Sequence, residues 1–204
     1  MSKEDRVYFE KVLSGELQKI KCAELDVKAV KNGVRFKFEK KVVAELDFQY
    51  LVKSHAFTLL GRVIGGPIYD CMSKKAPPYK SNLGSEACYS FTTSGRQDKK
   101  ISDSIYGTIS VPGPDNAFDV CGRIRDALEQ YYIPILMGCV FPSHRTISDV
   151  FYSPTDYSYP AVFIHCAVTL NPSILSDEAF EKIKNSKKII KNKDYDFGLL
   201  NGLS

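Results

Sequence analysis

Two short segments hold residues suited to acid–base chemistry on a phosphoester. His144-Arg145-Thr146-Ile147 has the order histidine, any residue, threonine, hydrophobe. Paired with a second such element, it makes a site in which two histidines exchange protons with a phosphodiester while the hydroxyls hold its oxygens. The partner in this chain would be His165-Cys166-Ala167, which has Ala167 where a hydroxyl is needed. The two segments are also closer in sequence than the lobes of a duplicated site. Cys166 beside His165 makes no dyad, because neighbours on an extended strand point to opposite faces. A two-histidine phosphoesterase using His144 and His165 is therefore a third reading of the chain, behind two others.

Other catalytic patterns are missing. Gly61, Gly65 and Gly66 follow an expected helix rather than link a strand to a helix, and no Gly-Lys-Ser/Thr occurs, so a phosphate-cradling loop is not expected. No Gly-x-Ser-x-Gly elbow is present. Asp149, Asp156 and Asp177 show no pairing pattern. The six cysteines, at 22, 71, 88, 121, 139 and 166, contain no Cys-x-x-Cys pair and no histidine at ligand spacing. Cys88, Cys121, Cys139 and Cys166 lie in apolar or alternating runs, which predicts buried thiols in a reducing compartment. No catalytic residue, cofactor or metal is expected.

A net charge of +4 over 204 residues is too mild to demand a nucleic-acid partner by itself. The N-terminal MSKEDRVYFEK lacks a signal-peptide core, and no apolar run approaches the ~20 residues of a membrane helix. Synthesis and retention in the cytoplasm, without membrane contact, are the expectation.

The elements that must position these residues start with a short helix after Ser2, with Asp5 at the capping-box position and Gly15 past its end. Alternating runs on either side of Asn32-Gly33 predict a β-hairpin, with Arg35 and Lys37 on its solvated face. Phe48, Leu51, Val52, His55, Ala56, Leu59, Leu60 and Val63 fit one helical stripe, with His55 as a hydrogen-bonded core histidine. Pro67–Met72 (PIYDCM) reads as a short strand, 86–94 as a strand, and 103–111 as another, joined to it by the polar loop 94–100. A helix over 115–132, N-capped by Asp115, puts Ala117, Val120, Cys121, Ile124, Leu128 and Tyr131 on one stripe. Residues 133–141 and 161–170 read as strands. Ser176 caps a last helix, which carries Lys182, Lys184, Lys187, Lys188, Lys191 and Lys193. Strands without regular β-α-β alternation predict an α+β fold. It has a mixed, mainly antiparallel sheet with helices packed on it, an N-terminal helix–hairpin extension and a C-terminal helix. The expected division is 1–46 for the extension, 47–172 for the core and 173–204 for the C-terminal helix and tail.

In order, the segments from Asp47 to Leu170 resemble the tail-terminator and tail-completion proteins of tailed bacteriophages. The likeness is carried by the stripe Phe48–Val63, then Pro67-Ile68-Tyr69-Asp70, then Ala76-Pro77-Pro78-Tyr79 up to Leu83-Gly84. It continues through 86–111 and 115–132 with Ala127-Leu128, then Asp149-Val150-Phe151-Tyr152 and Thr155-Asp156, to 161–170. Lys80-Ser81-Asn82 departs from the β-branched run usual after the Pro-Tyr pair, and the first 46 residues and the last helix are additional.

The resemblance implies a structural virion protein, not an enzyme. It would form a ring, a hexamer in the family, that caps the tail tube and joins it to a neck or head-completion protein. It would reside in the virion tail or neck, and in the host cytoplasm during assembly. A heterologous interface that closes on itself gives such a ring one copy number and two different faces. Arg96, Lys99 and Lys100 in the polar loop would then face the lumen, in non-specific contact with passing DNA. The second reading is a viral nucleic-acid-binding protein using the basic hairpin (Arg35, Lys37, Lys40, Lys41) and the lysine-rich C-terminal helix.

Overall fold

The computed structural model describes residues 3–95, 100–101 and 106–203. The described chain is α+β, an antiparallel sheet with helices. Helix α1 (Lys3–Leu17) is followed by strands β1 (Asp26–Val30), β2 (Gly33–Phe38), β3 (Lys41–Leu51) and β4 (Ala56–Val63). After α2 (Pro67–Met72) come β5 (Tyr89–Thr92) and β6 (Ile109–Ser110). The remainder is helical: α3 (Ala117–Ala127), α4 (Ile133–Val140), α5 (Thr146–Tyr152), α6 (Pro160–Leu170), α7 (Asp177–Lys184) and α8 (Lys193–Asn201). The sheet runs β1-β2-β3-β4-β5, with β6 also on β4. The chain divides into two compact units, 1–61 with 91–134 and 62–90 with 135–204.

In the first unit the expected hairpin forms. Val30 pairs with Gly33 and Asp26 with Lys37, so Lys31-Asn32 is the turn. A Cβ at Gly33 would collide with the Leu46 carbonyl of β3, which restricts this position to glycine. The β2–β3 turn is Glu39-Lys40, with φ of 48° and 68°. Two positive φ values are the type I′ pattern, which matches the twist of a hairpin but is usually filled by Asn and Gly. One sheet face buries Val34, Phe36, Ala44, Leu46 and Phe57. Phe9 of α1 meets Phe57 with ring centroids 5.3 Å apart. Alternation and burial agree here, so the register is well specified.

Several sequence expectations are corrected. The Phe48–Val63 stripe is a hairpin of β3 and β4, not a helix. The apolar pairs at helical spacing come from two strands on either side of the turn at 52–55, which has no Gly, Pro or Asn to mark it. Val52 is 71% exposed and His55 takes a φ of 49°. Residues 67–72 form a helix, begun by Pro67 after Gly66 at φ 97°, an arrangement suited to a first helical turn. Residues 133–140 and 160–170 are helices rather than strands. Both runs are apolar at nearly every position, so a two-residue and a 3.6-residue period fit equally well. In α6 residues 160–164 and 166–168 are buried, which is burial all round the helix. Three segments that carry the phage resemblance thus have a different secondary structure from the one it implies.

Helix α1 runs two residues past Gly15, and Ser2 lies outside the described residues. Asp115 is not an N-cap: it sits inside a 3-10 turn, Pro114–Asn116, that precedes α3. A π turn over Leu128–Tyr132 joins α3 to α4. Pro134 has no N–H to continue an i to i−4 ladder, and the wider turn absorbs that break. It also shifts the buried side by one residue, so that Tyr132 rather than Tyr131 is buried. Of the expected strand 103–111, residues 103–105 lie outside the described residues, and within 106–111 the strand is Ile109–Ser110. The C-terminal helix is two helices: α7, capped by the Ser176 hydroxyl accepting from the Ala179 N–H, and α8.

The second unit centres on Tyr157, which is 1% exposed. Its ring lies 4.9 Å from Tyr89 and 4.7 Å from Phe163, centroid to centroid. Asn82 pins the 73–88 segment to this core, donating from its N–H to the Ser158 carbonyl and from its side chain to the Tyr157 carbonyl.

Candidate functional site

The phosphoester motif is embedded in a helix start. The Thr146 hydroxyl accepts from the Ser143 N–H at 2.8 Å, donates to the Gly138 carbonyl at 3.1 Å, and is buried. Both of its hydrogen-bonding capacities are used in holding the turn before α5. His144 is exposed on that turn. His165 is half-buried on α6, where its Nδ1 lies 3.0 Å from the Leu199 carbonyl oxygen. Because a carbonyl only accepts, Nδ1 carries the proton. Burial, and then the charge of Lys75, hold the His165 pKa below its ordinary value. The expected core histidine, His55, is exposed instead, with Nδ1 3.0 Å from the Tyr50 hydroxyl.

All six cysteines are thiols, and Cys88, Cys121, Cys139 and Cys166 are buried, as their apolar surroundings predict. Burial pushes the Cys88 and Cys121 thiols up to about 12. No cluster of three or more His, Cys, Asp or Glu suited to a metal is found among the described residues.

The basic hairpin is electrically neutral on its polar face. Asp26, Lys28, Arg35, Lys37, Glu45 and Asp47 share that face through the β1–β2–β3 register. Arg35 is half-buried, with ion pairs to Glu45 at 3.2 Å and Asp47 at 2.8 Å. Three acids among three bases leave little net field for a polyanion. In the polar loop, Lys100 places its ammonium 3.7 Å from the centroid of the Tyr131 ring. Arg96 and Lys99 lie outside the described residues.

Two surfaces emerge that the sequence reading did not identify. In the first unit, α1 and α3 pack together with Val7 56%, Tyr8 37% and Phe118 61% exposed. The Tyr8 and Phe118 rings meet edge to face at 6.4 Å. About two turns further along the same helices, the Arg125 guanidinium bonds the Glu16 carboxylate at 2.7 Å, fixing α3 to α1. In the second unit, Asp196 of α8 is 0% exposed and gathers three donors: the Tyr79 hydroxyl at 2.7 Å, the Lys191 N–H at 2.8 Å and the Asn192 N–H at 2.9 Å. Tyr79 in turn packs edge to face with Tyr159 at 5.5 Å and Tyr195 at 6.3 Å. Neither surface has a local sequence signature, since each depends on residues brought together by the fold.

Comparison with protein-family models, curated proteins and solved structures returns no match to this chain.

Proposed function

We propose that the chain is a structural assembly protein, and specifically one that caps a phage tail tube and joins it to the neck. The observation that carries the assembly reading is the α1–α3 face, where the exposed rings of Tyr8 and Phe118 meet and Val7, next to Tyr8 in α1, is exposed as well. Large apolar side chains clustered on a surface favour a protein–protein contact. They stand on two helices locked by the Arg125–Glu16 pair, a rigid base for such a contact. The tail-terminator assignment rests on the order of sequence motifs and not on the type of its elements.

In the proposed ring, each α1–α3 face would seat on a different surface of the next subunit, the heterologous geometry that closes a ring. Arg96, Lys99 and Lys100 are proposed to line its lumen. The test is native mass measurement and negative-stain imaging of the full chain across a concentration series. Rings of one copy number are expected, dispersed to monomers by Phe118→Asp with helix content unchanged. A monomer at every concentration, or rings indifferent to Phe118→Asp, overturns the proposal.

A further inference from the structure

The geometry points to a binding surface for single-stranded nucleic acid on the second unit, built from the Tyr79–Tyr159–Tyr195 cluster and the lysines around it. Residues 71–85 contain Lys74, Lys75 and Lys80 and no acid; residues 182–193 contain six lysines and no acid. The Tyr79–Asp196 hydrogen bond brings these two segments together. Lys182 and Lys184 are bridged to Glu178 and Glu181. Lys74, Lys80, Lys187, Lys188, Lys191 and Lys193 are exposed and make no ion pair among the described residues.

The connector between α7 and α8, which carries Lys187, Lys188 and Lys191 and leads into Lys193 at the start of α8, is held in place from within. Ile183 and Ile189 are fully buried on either side of Lys187 and Lys188. The Asp196 carboxylate takes the Lys191 and Asn192 N–H groups, and the Asn192 side chain accepts from the Tyr195 N–H. The lysines are therefore presented from an ordered backbone, which reduces the entropy lost when a ligand binds.

The tyrosines select the class of polyanion. Tyr79, Tyr159 and Tyr195 are half-buried and each retains solvent access. Lys80 adjoins Tyr79, and Lys193 lies two residues before Tyr195. Aromatic rings interleaved with cations suit an unpaired strand, whose bases can stack while its phosphates meet the lysines. A duplex keeps its bases stacked internally and would use the lysines alone.

The test is fluorescence anisotropy of the full chain with a labelled oligothymidylate of about 16 nucleotides. A duplex of equal length and phosphatidylserine vesicles are run in parallel. The single strand should bind best, with affinity falling steeply as salt rises. Replacing Lys187, Lys188, Lys191 and Lys193 together by Ala should weaken it by at least about tenfold and flatten the salt slope, each lost phosphate contact removing ~0.7 from it. Tyr195→Leu should weaken binding while Tyr195→Phe restores it, separating stacking from the hydroxyl and from a folding defect. No binding at low salt, a preference for duplex or vesicles, or insensitivity to both sets of substitutions overturns the inference.

Discussion

Tyr79 donates its hydroxyl to Oδ1 of Asp196 at 2.7 Å, while Oδ2 of the same carboxylate takes the Lys191 and Asn192 N–H groups. The partners are 117 positions apart in sequence. One buried carboxylate thus caps the start of α8, fixes the lysine-rich connector and holds the proline-rich segment before β5. Burial, with the Asp196 hydrogen bond next, pushes the Tyr79 phenol well above its ordinary value, so it remains a donor throughout the usable pH range.

Tyr79→Phe should cost about 1–3 kcal/mol, because it removes a donor from a carboxylate that has no access to water. Asp196→Asn should cost more, since its single acceptor oxygen replaces two that serve three donors. Urea denaturation measures both. Tyr79→Phe at wild-type stability would show that the bond does not hold these segments.

The turn at Glu39-Lys40 gives a prediction of the opposite sign. Both residues are exposed and sit at positive φ, where a side chain costs about 1 kcal/mol or more. Glu39→Asn with Lys40→Gly supplies the residues that a type I′ turn favours. The double variant should gain about 1 kcal/mol, read as a higher denaturation midpoint. An unchanged or lower midpoint counts against the turn assignment.

Gly61 is set by its neighbour's ring. A Cβ there would lie inside the Phe91 side chain, which stacks on Tyr132 at 5.3 Å and 14°. Gly61→Ala should destabilise the protein by about 1–3 kcal/mol through overpacking. Adding Phe91→Leu should recover part of the loss, and a double-mutant cycle measures the coupling. Strictly additive effects would exclude the clash.

How far the sequence discloses this fold follows the strength of its local signals. Alternation on both sides of Asn32-Gly33 specifies the hairpin, and Ser176 ahead of two acids specifies the start of α7. At Ile133–Val140 and Pro160–Leu170 every period fits because almost every residue is apolar, and β-branched content suggests strands where Pro160 in fact opens a helix. Val52 to His55 forms a turn without Gly, Pro, Asn or Asp, and Ser54 alone is a weak signal. The lysines of 182–193 stand out in the sequence as a basic run, but their tie to Tyr79 does not, since no periodicity encodes a contact between distant segments.

The thiols should separate by reactivity. Cys88 and Cys121 are buried with pKa values pushed to about 12. At pH 8 only roughly one in ten thousand of each is thiolate, the reactive form. Cys22 and Cys71 are half-buried and should alkylate first. Iodoacetamide labelling read by peptide mass spectrometry should show labels at 22 and 71 in the native protein, and at all six positions after denaturation. Native labelling of Cys88 or Cys121 at a comparable rate would contradict their burial.

His165 makes the second unit sensitive to acid. Its folded pKa lies below its ordinary value of 6.5, so the folded state takes up a proton less readily than the unfolded state. The unfolded state then binds more protons as pH falls through that range, and stability is lost below about 6.5 rather than gained. The Leu199 contact opposes this trend, because its carbonyl attracts the charged imidazole more strongly, but the Nδ1 proton is donated in both charge states and burial and Lys75 outweigh it. His165→Gln keeps a donor for the Leu199 carbonyl and stays neutral. Denaturation midpoints between pH 7.5 and 5 should therefore fall more steeply for the native chain than for His165→Gln. Parallel profiles would show that His165 does not titrate differently in the folded state.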